Sequence, residues 1–112
     1  MAEPGNKEGT RLAVTMGDPR GIGPETCVLA MAGDRIPAGC GMTVIGSRGV
    51  LEAAAKACEV DLGAPTLSPG DPLPGRGAAI HDLDNFDAAE MEPRQPDARS
   101  GRASLEYIET GV

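Results

Sequence analysis

The sequence predicts an α/β fold in which parallel strands are connected by crossover helices, and three observations support it. The apolar runs at residues 11–16 and 42–45 are each followed by a stretch with helical character. The order strand, helix, strand, helix favours a parallel sheet, because each crossover helix carries the chain back to the same end of the sheet. The third observation is a turn rich in glycine and proline between the first strand and its helix, which indicates a shaped loop.

The first strand, residues 11–16, is expected to be buried because its run is apolar. The helix over residues 24–32 begins with Pro24, which suits a first helical turn, and Gly33 is expected to end it. The second strand, residues 42–45, is also expected to be buried.

Ser47 is expected to cap a second helix that extends to about Val60. Apolar positions recur along it every three or four residues and predict one buried face. They are Val50, Leu51, Ala54, Ala57 and Cys58.

The remaining segments carry weaker patterns. Residues 1–10 are polar and are expected to form a disordered tail before an incomplete α/β portion at residues 11–112. Residues 61–98 are rich in proline and glycine, and only residues 77–83 predict a strand. This segment is either an extended connection of a larger fold or disordered. A helical pattern resumes after residue 100, and its expected apolar face is formed by Leu105, Ile108 and Val112.

Composition limits the classes of function. The 112 residues allow one small domain, and large apolar side chains are scarce, with one Phe, one Tyr and no Trp, so the chain alone is expected to be marginally stable. The net charge of −7 argues against nucleic acid and anionic membranes as partners, because phosphate binding needs clustered Lys and Arg. With no signal peptide and no apolar stretch long enough to span a membrane, a cytoplasmic location is expected.

Cysteine and histidine give little support for a metal site. Cys27, Cys40 and Cys58 have no zinc-like or disulfide-like spacing and are interpreted as buried small apolar residues in a reducing compartment. His81 is followed by three carboxylates within six residues, a run that is interpreted as a solvated acidic loop. A catalytic metal usually takes three protein ligands, so His81 is not assigned as one.

The most informative run is residues 15–25, which read T-M-G-D-P-R-G-I-G-P-E. Gly17, Gly21 and Gly23 allow positive φ angles or a close approach of the backbone to another segment. Their spacing matches neither the dinucleotide-binding G-x-G-x-x-G nor a P-loop. Glu25 lies in the first turn of the following helix, where it would repel an anion. The glycine spacing and the position of Glu25 therefore favour a structural turn beside a cleft over a phosphate-binding loop.

The same run resembles the N-terminal signature of the 4-hydroxythreonine-4-phosphate dehydrogenase family of pyridoxine biosynthesis, T-M-G-D-P-A-G-I-G-P-E. Arg20 replaces the alanine of that signature, at a loop position expected to tolerate change. Residues 100–109, S-G-R-A-S-L-E-Y-I-E, resemble the family's S-G-R-A-A-L-E-Y-I-E helix. The resemblance spans nearly the whole chain from Arg11. It implies the N-terminal part of an isocitrate/isopropylmalate dehydrogenase-like fold, incomplete here.

The resemblance implies an oxidoreductase that uses NAD or NADP and a divalent metal to oxidise and decarboxylate 4-phosphooxy-threonine, and that forms a homodimer at full length. The equivalent loop of this superfamily lies near the nicotinamide, which nominates Gly17, Asp18, Gly21 and Ile22 as cofactor-binding residues. The metal-binding histidines and the phosphate-binding basic residues of the family lie beyond the matched part. No catalytic residue or metal ligand is therefore assigned, and the chain alone is expected to be inactive.

Two alternatives stay open. Relatives that act on phosphorylated four-carbon sugar acids, or on a dihydrodiol dicarboxylate, share the same motif. The chain could also be a non-catalytic truncated remnant that acts at most as an interaction partner.

Overall fold

A computed structural model describes residues 10–33 and 35–112. Three parallel strands form one sheet in the order β1-β2-β3. They are β1 (Thr10–Thr15), β2 (Cys40–Gly46) and β3 (Gly77–Asp82). Val14 of β1 pairs with Val44 of β2, which in turn pairs with Ile80 of β3. The predicted α/β class with parallel strands is confirmed.

Three α-helices and one short 3-10 helix complete the described fold. They are α1 (Gly23–Met31), α2 (Arg48–Ala57), the 3-10 helix (Ala88–Glu90) and α3 (Ala98–Gly111). The first helix lies within a residue of its prediction at each end. The second ends earlier than predicted, because Glu59 takes a left-handed φ of 56° that no helix continues through.

The hydrophobic core lies where α1 and α2 pack together and against the sheet. Val44 and Ile80 at the centre of the sheet and Val50 and Leu51 of α2 are fully buried. Cys27 of α1 is buried as expected, and desolvation raises the pKa of its thiol to about 11. The other two cysteines are only half-buried. None of the helices in the described part of the chain has the length and apolar character needed to span a bilayer.

The first strand is much less buried than predicted. Residues 10–13 are exposed and only Val14 and Thr15 are half-buried, whereas β2 is buried from Gly41 onwards. The reason is position in the sheet: among the described residues β1 pairs with β2 alone, while β2 has a neighbour on each side. An apolar run predicts a strand, but it does not tell whether that strand lies at the centre or at the edge.

Two of the predicted segments, residues 1–10 and residues 61–98, lie outside the main strands and helices of the prediction. The disordered tail predicted for residues 1–10 lies outside the described residues, except for Thr10, which begins β1. Residues 61–98 run as an extended connection that includes the predicted strand at Gly77–Asp82. Within this connection Leu67 N–H donates to the Ile80 carbonyl over 2.8 Å, and Ile80 N–H donates to the Pro65 carbonyl over 2.8 Å. The outer edge of β3 is thereby paired at Ile80, in the middle of the strand.

The buried face of α3 is not the predicted one. The expected apolar face is largely exposed, with relative accessibilities of 54% for Leu105, 49% for Ile108 and 103% for Val112. The residues of α3 that are buried instead are Ser100, Ala103 and Tyr107. Ser100 and Tyr107 carry hydroxyl groups that bond to polar side chains of the loops, and a count of apolar positions cannot detect such a face.

Candidate functional site

The candidate site is the edge of the sheet where the three parallel strands have their carboxyl ends. In open α/β sheets ligands bind outside this edge, because the loops that follow the strands meet there. The loops are residues 16–22 after β1, Ser47 after β2 and residues 83–87 after β3. Helix α3 lies across all three, since its side chains bond to the loops after each strand.

The first loop owes its shape to two glycines. Gly17 has a φ of +82°, a conformation that L side chains rarely adopt. A Cβ atom on Gly23 would lie 2.1 Å from the Met16 carbonyl oxygen, so only glycine lets the start of α1 approach the end of β1 this closely. Pro24 is buried in the first turn of α1, as its position in the sequence predicted.

Asp18 connects this loop to α3. One carboxylate oxygen accepts the Arg20 N–H over 2.9 Å, and the other accepts the Ser100 hydroxyl over 3.1 Å. Its carbonyl accepts the Gly21 N–H over 2.8 Å. Two backbone donors of the loop are thus satisfied within the loop, and the Asp18 carboxylate is held between the loop and α3.

Arg20 contacts the segment that precedes α3. Its Nε donates to the Glu90 carbonyl over 2.7 Å, and its Nη1 pairs with the Asp97 carboxylate over 2.7 Å. The side chain is only 16% exposed. An alanine, as in the family signature, would leave the Glu90 carbonyl and the exposed Asp97 carboxylate without this donor, and the tolerance of this position to change stays a prediction.

Arg94 contacts the same loop from the opposite direction. Its guanidinium forms a two-pronged ion pair with Glu25, with both N–O distances at 2.9 Å, and also donates to the Gly21 carbonyl. Hydrogen bonds from Arg94 lower the pKa of the Glu25 carboxyl, although partial burial acts against them. We call Arg20 and Arg94 the arginine clamp, because each reaches from one of the two segments to bind the other.

A buried polar triad lies beneath the other end of α3. The hydroxyls of Ser47 and Tyr107 each donate to Asn85 Oδ1 over 2.8 Å, and the two hydroxyl oxygens are 2.8 Å apart. Tyr107 has no exposed surface, and desolvation raises its pKa to about 12, so the phenol stays protonated at neutral pH.

Ser47 occupies the N-cap position of α2 but does not cap it with its side chain. The Arg48 N–H at the start of the helix is instead accepted by Asp82 over 2.9 Å. The predicted position of the cap is correct and its predicted side-chain bond is wrong, because the triad takes the Ser47 hydroxyl.

The four nominated cofactor-binding residues all lie in the first loop. They differ in whether their surface is open to a ligand or already used in hydrogen bonds within the protein. Ile22 is 80% exposed, and the space beside Gly17 is open. Asp18 and Gly21 are occupied by the hydrogen bonds just described. An open pocket of about 360 Å³ adjoins the loop, lined by Arg20, Gly21, Ile22, Glu25, Arg94 and Pro96.

The loop is better suited to contact the flat nicotinamide ring of a cofactor than to bind its pyrophosphate. Its Arg20 and Gly21 N–H groups bond to Asp18, and Glu25 places a carboxylate in the first turn of α1, so a pyrophosphate would find few free donors. Both arginines of the clamp are already paired with carboxylates. The open side of Gly17 and the exposed Ile22 instead suit van der Waals contact with a flat ring.

The described residues do not fit a divalent metal. Among them no three His, Cys, Asp or Glu side chains lie close enough together to hold an ion. In the acidic run, Asp82 accepts the N–H groups of Arg48 and Asp84, and Asp87 caps the 3-10 helix. His81 is exposed on β3.

Sequence reasoning missed most of the partners that fix the site. Arg94 lies 69 positions from Glu25, and Ser100 lies 82 positions from Asp18. No local period links such residues. Arg94 stands in the part of the proline-rich segment that follows the predicted strand, where no regular element was predicted, so only paired changes among related sequences could have indicated its contacts.

Relatives of known name match most of this chain. The sequence is 36% identical over 105 residues to a protein of Fusobacterium nucleatum named "Putative D-threonate 4-phosphate dehydrogenase", a match to 92% of this chain and 32% of the relative. It is 34% identical over 103 residues to a 4-hydroxythreonine-4-phosphate dehydrogenase of Desulforapulum autotrophicum, a match to 90% of this chain and 30% of the relative. No protein-family model matches the chain.

The fold has a matching solved structure. A crystal structure of a 4-hydroxythreonine-4-phosphate dehydrogenase from Burkholderia phymatum superposes with a TM-score of 0.75 at 25% identity, over 91% of this chain and 31% of that one. The chain therefore spans about a third of the length of the proteins it matches. Sequence and fold together identify the chain as a homologue of the 4-hydroxythreonine-4-phosphate dehydrogenases, matched over about a third of their length.

Proposed function

We propose that the chain provides the cofactor-side part of a dehydrogenase that uses NAD or NADP and a divalent metal to oxidise 4-phosphooxy-threonine. The observation that carries this proposal is the similarity to such dehydrogenases along nine tenths of the chain, including the loop at the carboxyl edge of the sheet. In the complete enzyme we propose a homodimer in the cytoplasm, acting in pyridoxine biosynthesis.

A second substrate has specific support. The Fusobacterium nucleatum relative, at 36% identity, is named for D-threonate 4-phosphate, which is also a phosphorylated four-carbon hydroxy acid. Both substrates present a secondary alcohol that loses a hydride to the nicotinamide and a proton to a base. The resulting β-keto acid releases CO₂, because the ketone accepts the electron pair of the broken bond.

The residues of this chain would act on the cofactor and not on the substrate phosphate. Ile22 and the open side of Gly17 offer a surface for the nicotinamide ring, and the arginine clamp fixes the loop that carries them. The cofactor, when bound, supplies the hydride acceptor. Metal ligands and phosphate-binding residues would come from parts of the dehydrogenase fold outside the matched third.

The test is a chimeric enzyme in which residues 10–112 replace the aligned segment of the Desulforapulum autotrophicum dehydrogenase. We expect the chimera to reduce NAD or NADP with either phosphorylated substrate in the presence of a divalent metal, and we expect chain 1–112 alone to show no turnover. Because the substrate-binding residues of the chimera come from the Desulforapulum autotrophicum enzyme, its turnover tests the cofactor-side role of this chain and not the choice between the two substrates. A folded chimera that is inactive with both substrates and both cofactors would contradict the proposal.

A pair of variants tests the role of the loop. Ile22→Asp places a charge where the ring is proposed to lie and is expected to raise the KM for the cofactor by about tenfold or more. The matched control is Leu29→Asp, which changes a partly exposed apolar residue on α1 and is expected to leave that KM unchanged. Equal effects of the two substitutions would remove Ile22 from the cofactor site.

A further inference from the structure

Arg20 is the position at which residues 15–25 depart from the signature of the dehydrogenase family, which has alanine there. An alanine side chain forms no hydrogen bonds, so whatever the Arg20 side chain binds is a feature of chains that carry arginine at this position. The side chain is only 16% exposed, whereas most arginines are solvated. The fold therefore gives this arginine a defined set of partners.

The partners of the Arg20 side chain all lie in the segment that leads into α3. Its Nε donates to the Glu90 carbonyl over 2.7 Å. Its Nη1 pairs with the Asp97 carboxylate over 2.7 Å and lies 3.4 Å from the Gln95 carbonyl oxygen. One side chain thus ties the loop after β1 to a stretch of chain that is 70 to 77 positions away, so a displacement of the loop breaks several bonds at once.

Four residues around the start of α3 form a closed ring of hydrogen bonds. The Asp18 carboxylate accepts the Arg20 N–H over 2.9 Å and the Ser100 hydroxyl over 3.1 Å. The Asp97 carboxylate accepts the Ser100 N–H over 2.8 Å and the Arg20 guanidinium over 2.7 Å. Each carboxylate therefore bridges the same two residues, and we call the four residues the Arg20 ring. With alanine at position 20 the bond to Asp97 is lost and the ring is open.

The Arg20 ring lies directly beside the surface proposed for the nicotinamide. Gly21 and Ile22 follow Arg20 in the chain, the Gly21 N–H bonds to the Asp18 carbonyl over 2.8 Å, and Ile22 is 80% exposed. Ser100 is fully buried, so the ring is anchored in the body of the fold. A loop that is already held in its binding arrangement loses less conformational entropy when a ligand binds.

We propose that Arg20 is a positioning residue for cofactor binding, which holds the loop after β1 in its binding arrangement before the cofactor arrives. The role rests on the proposed function, because it requires the cofactor to lie against Gly17 and Ile22. The Arg20 guanidinium is occupied by Glu90 and Asp97, so it acts through the loop and not on the cofactor itself. The affinity for the cofactor should therefore depend on Arg20, while the rate of the chemical step should not.

The kinetic experiment introduces Arg20→Ala into the chimeric dehydrogenase. If the loop of the variant spends only about a fifth of its time in the binding arrangement, the KM for NAD or NADP rises about fivefold. The value of kcat should stay within about twofold, because the loop with cofactor bound is the same. A purely structural arginine would instead lower the active fraction, and hence kcat, at an unchanged KM. An unchanged KM for the cofactor in Arg20→Ala would overturn the proposal.

Two further substitutions sharpen the kinetic result. Arg76→Ala is the matched control, since it removes an exposed arginine just before β3 at the opposite edge of the sheet, and it should leave the KM for the cofactor within about twofold. Arg20→Lys keeps a positive charge beside Asp97 but lacks the planar fork that reaches two acceptors, so its KM should lie between those of the unmodified chimera and Arg20→Ala. Equal increases for Arg76→Ala and Arg20→Ala would contradict the proposal.

Hydrogen exchange tests the loop itself, without cofactor or turnover. In chain 1–112 with Arg20→Ala we expect the amides of residues 17–22 to exchange faster by about tenfold or more. The amides of β2 should exchange as in the unmodified chain, which shows that the fold is kept. If Arg20→Ala does not fold, Asp97→Asn opens the ring at the same bond, and asparagine still suits the N-cap position of α3. Loop exchange that is the same with and without the substitution would overturn the role of Arg20 even if the chimera is active.

The two measurements separate the role of Arg20 from the proposed function. A folded chimera that is inactive with both cofactors contradicts the proposed function, and the role of Arg20 in cofactor binding falls with it. An active chimera whose KM for the cofactor does not respond to Arg20→Ala contradicts the role of Arg20 alone.

Discussion

The apolar half of the molecule and the carboxyl edge beneath α3 are held together by different forces. Where α1 and α2 pack on the sheet, the contacts are between aliphatic side chains such as Val28, Val44 and Leu51, which are almost fully buried. Beneath α3 the contacts are hydrogen bonds and ion pairs that join segments far apart in sequence. The first half should therefore dominate stability, and the second should determine the shape of the loops.

The largest expected effect is in the apolar half. Leu51→Ala removes a fully buried side chain, and we expect it to lower the free energy of unfolding by about 2–5 kcal/mol. Leu29→Ala, at a partly exposed position of α1, should cost about 1 kcal/mol or less. Urea denaturation measures both. If the two variants unfold at the same urea concentration, the packing of α2 on the sheet contributes less than its burial indicates.

An intermediate effect is expected at the buried polar triad. Tyr107→Phe removes the hydroxyl that bonds to Asn85 beside Ser47, and we expect a loss of about 1–2 kcal/mol in the same denaturation measurement. The chain has one Tyr and no Trp, so tyrosinate absorbance reports Tyr107 alone.

The pH dependence of Tyr107 follows from the direction of its shift. The pKa is raised from 10.0 to about 12 in the folded chain, so its contribution to stability is complete below pH 10 and is lost as the pH rises towards 12. The absorbance midpoint should lie near pH 12 in the folded chain and near 10 in urea. Coincident midpoints would mean that the phenol is not buried in solution.

The smallest expected effect on stability is at the arginine clamp. Arg94→Gln removes a partly exposed ion pair and should cost about 1 kcal/mol or less, but it should increase hydrogen exchange in residues 17–22. Because Arg94 lowers the pKa of Glu25, their contribution is present above pH 4.5 and is lost as the pH falls through the lowered value.

The dependence of stability on pH below 4.5, which we call the acid limb, provides a second measurement for this variant. Stability should fall less steeply below pH 4.5 in Arg94→Gln than in the unmodified chain. Arg102→Gln, which changes an exposed arginine of α3, should leave both the acid limb and the exchange of the loop as they are. A loop that exchanges equally in both variants would show that the clamp does not hold it.

The same contrast explains how much the sequence could predict. The order of strands and helices follows from apolar spacing, which is a local property. The predicted face of α2 is confirmed at Val50, Leu51 and Ala54, but it is wrong at its end, where the helix stops and Ala57 is exposed and Cys58 only half-buried. The four nominated loop residues do lie in one loop at the carboxyl edge, and their role in cofactor binding stays a prediction. Local patterns could not predict that Arg20 and Arg94 bind each other's segments, because those contacts join positions about 70 residues apart.

The errors have physical causes as well. The burial of β1 was predicted from its own residues, but it depends on whether another strand lies beside it. The face of α3 was predicted from Leu105 and Ile108, whereas the helix buries Ser100 and Tyr107, whose hydroxyls have partners in other loops. Hydrophobic spacing identifies buried faces well only where burial is apolar.

The unequal edges of the sheet also limit how copies of the chain can aggregate. Growth of a fibre by strand addition needs an acceptor edge and a donor edge on every molecule. Here residues 65–67 pair with Ile80 in the middle of β3, so two molecules that meet through β1 leave no edge among the described residues that is open along its whole length. Strand-mediated self-association of this chain should therefore stop at pairs, and continuous cross-β growth would first require residues 65–67 to detach from β3.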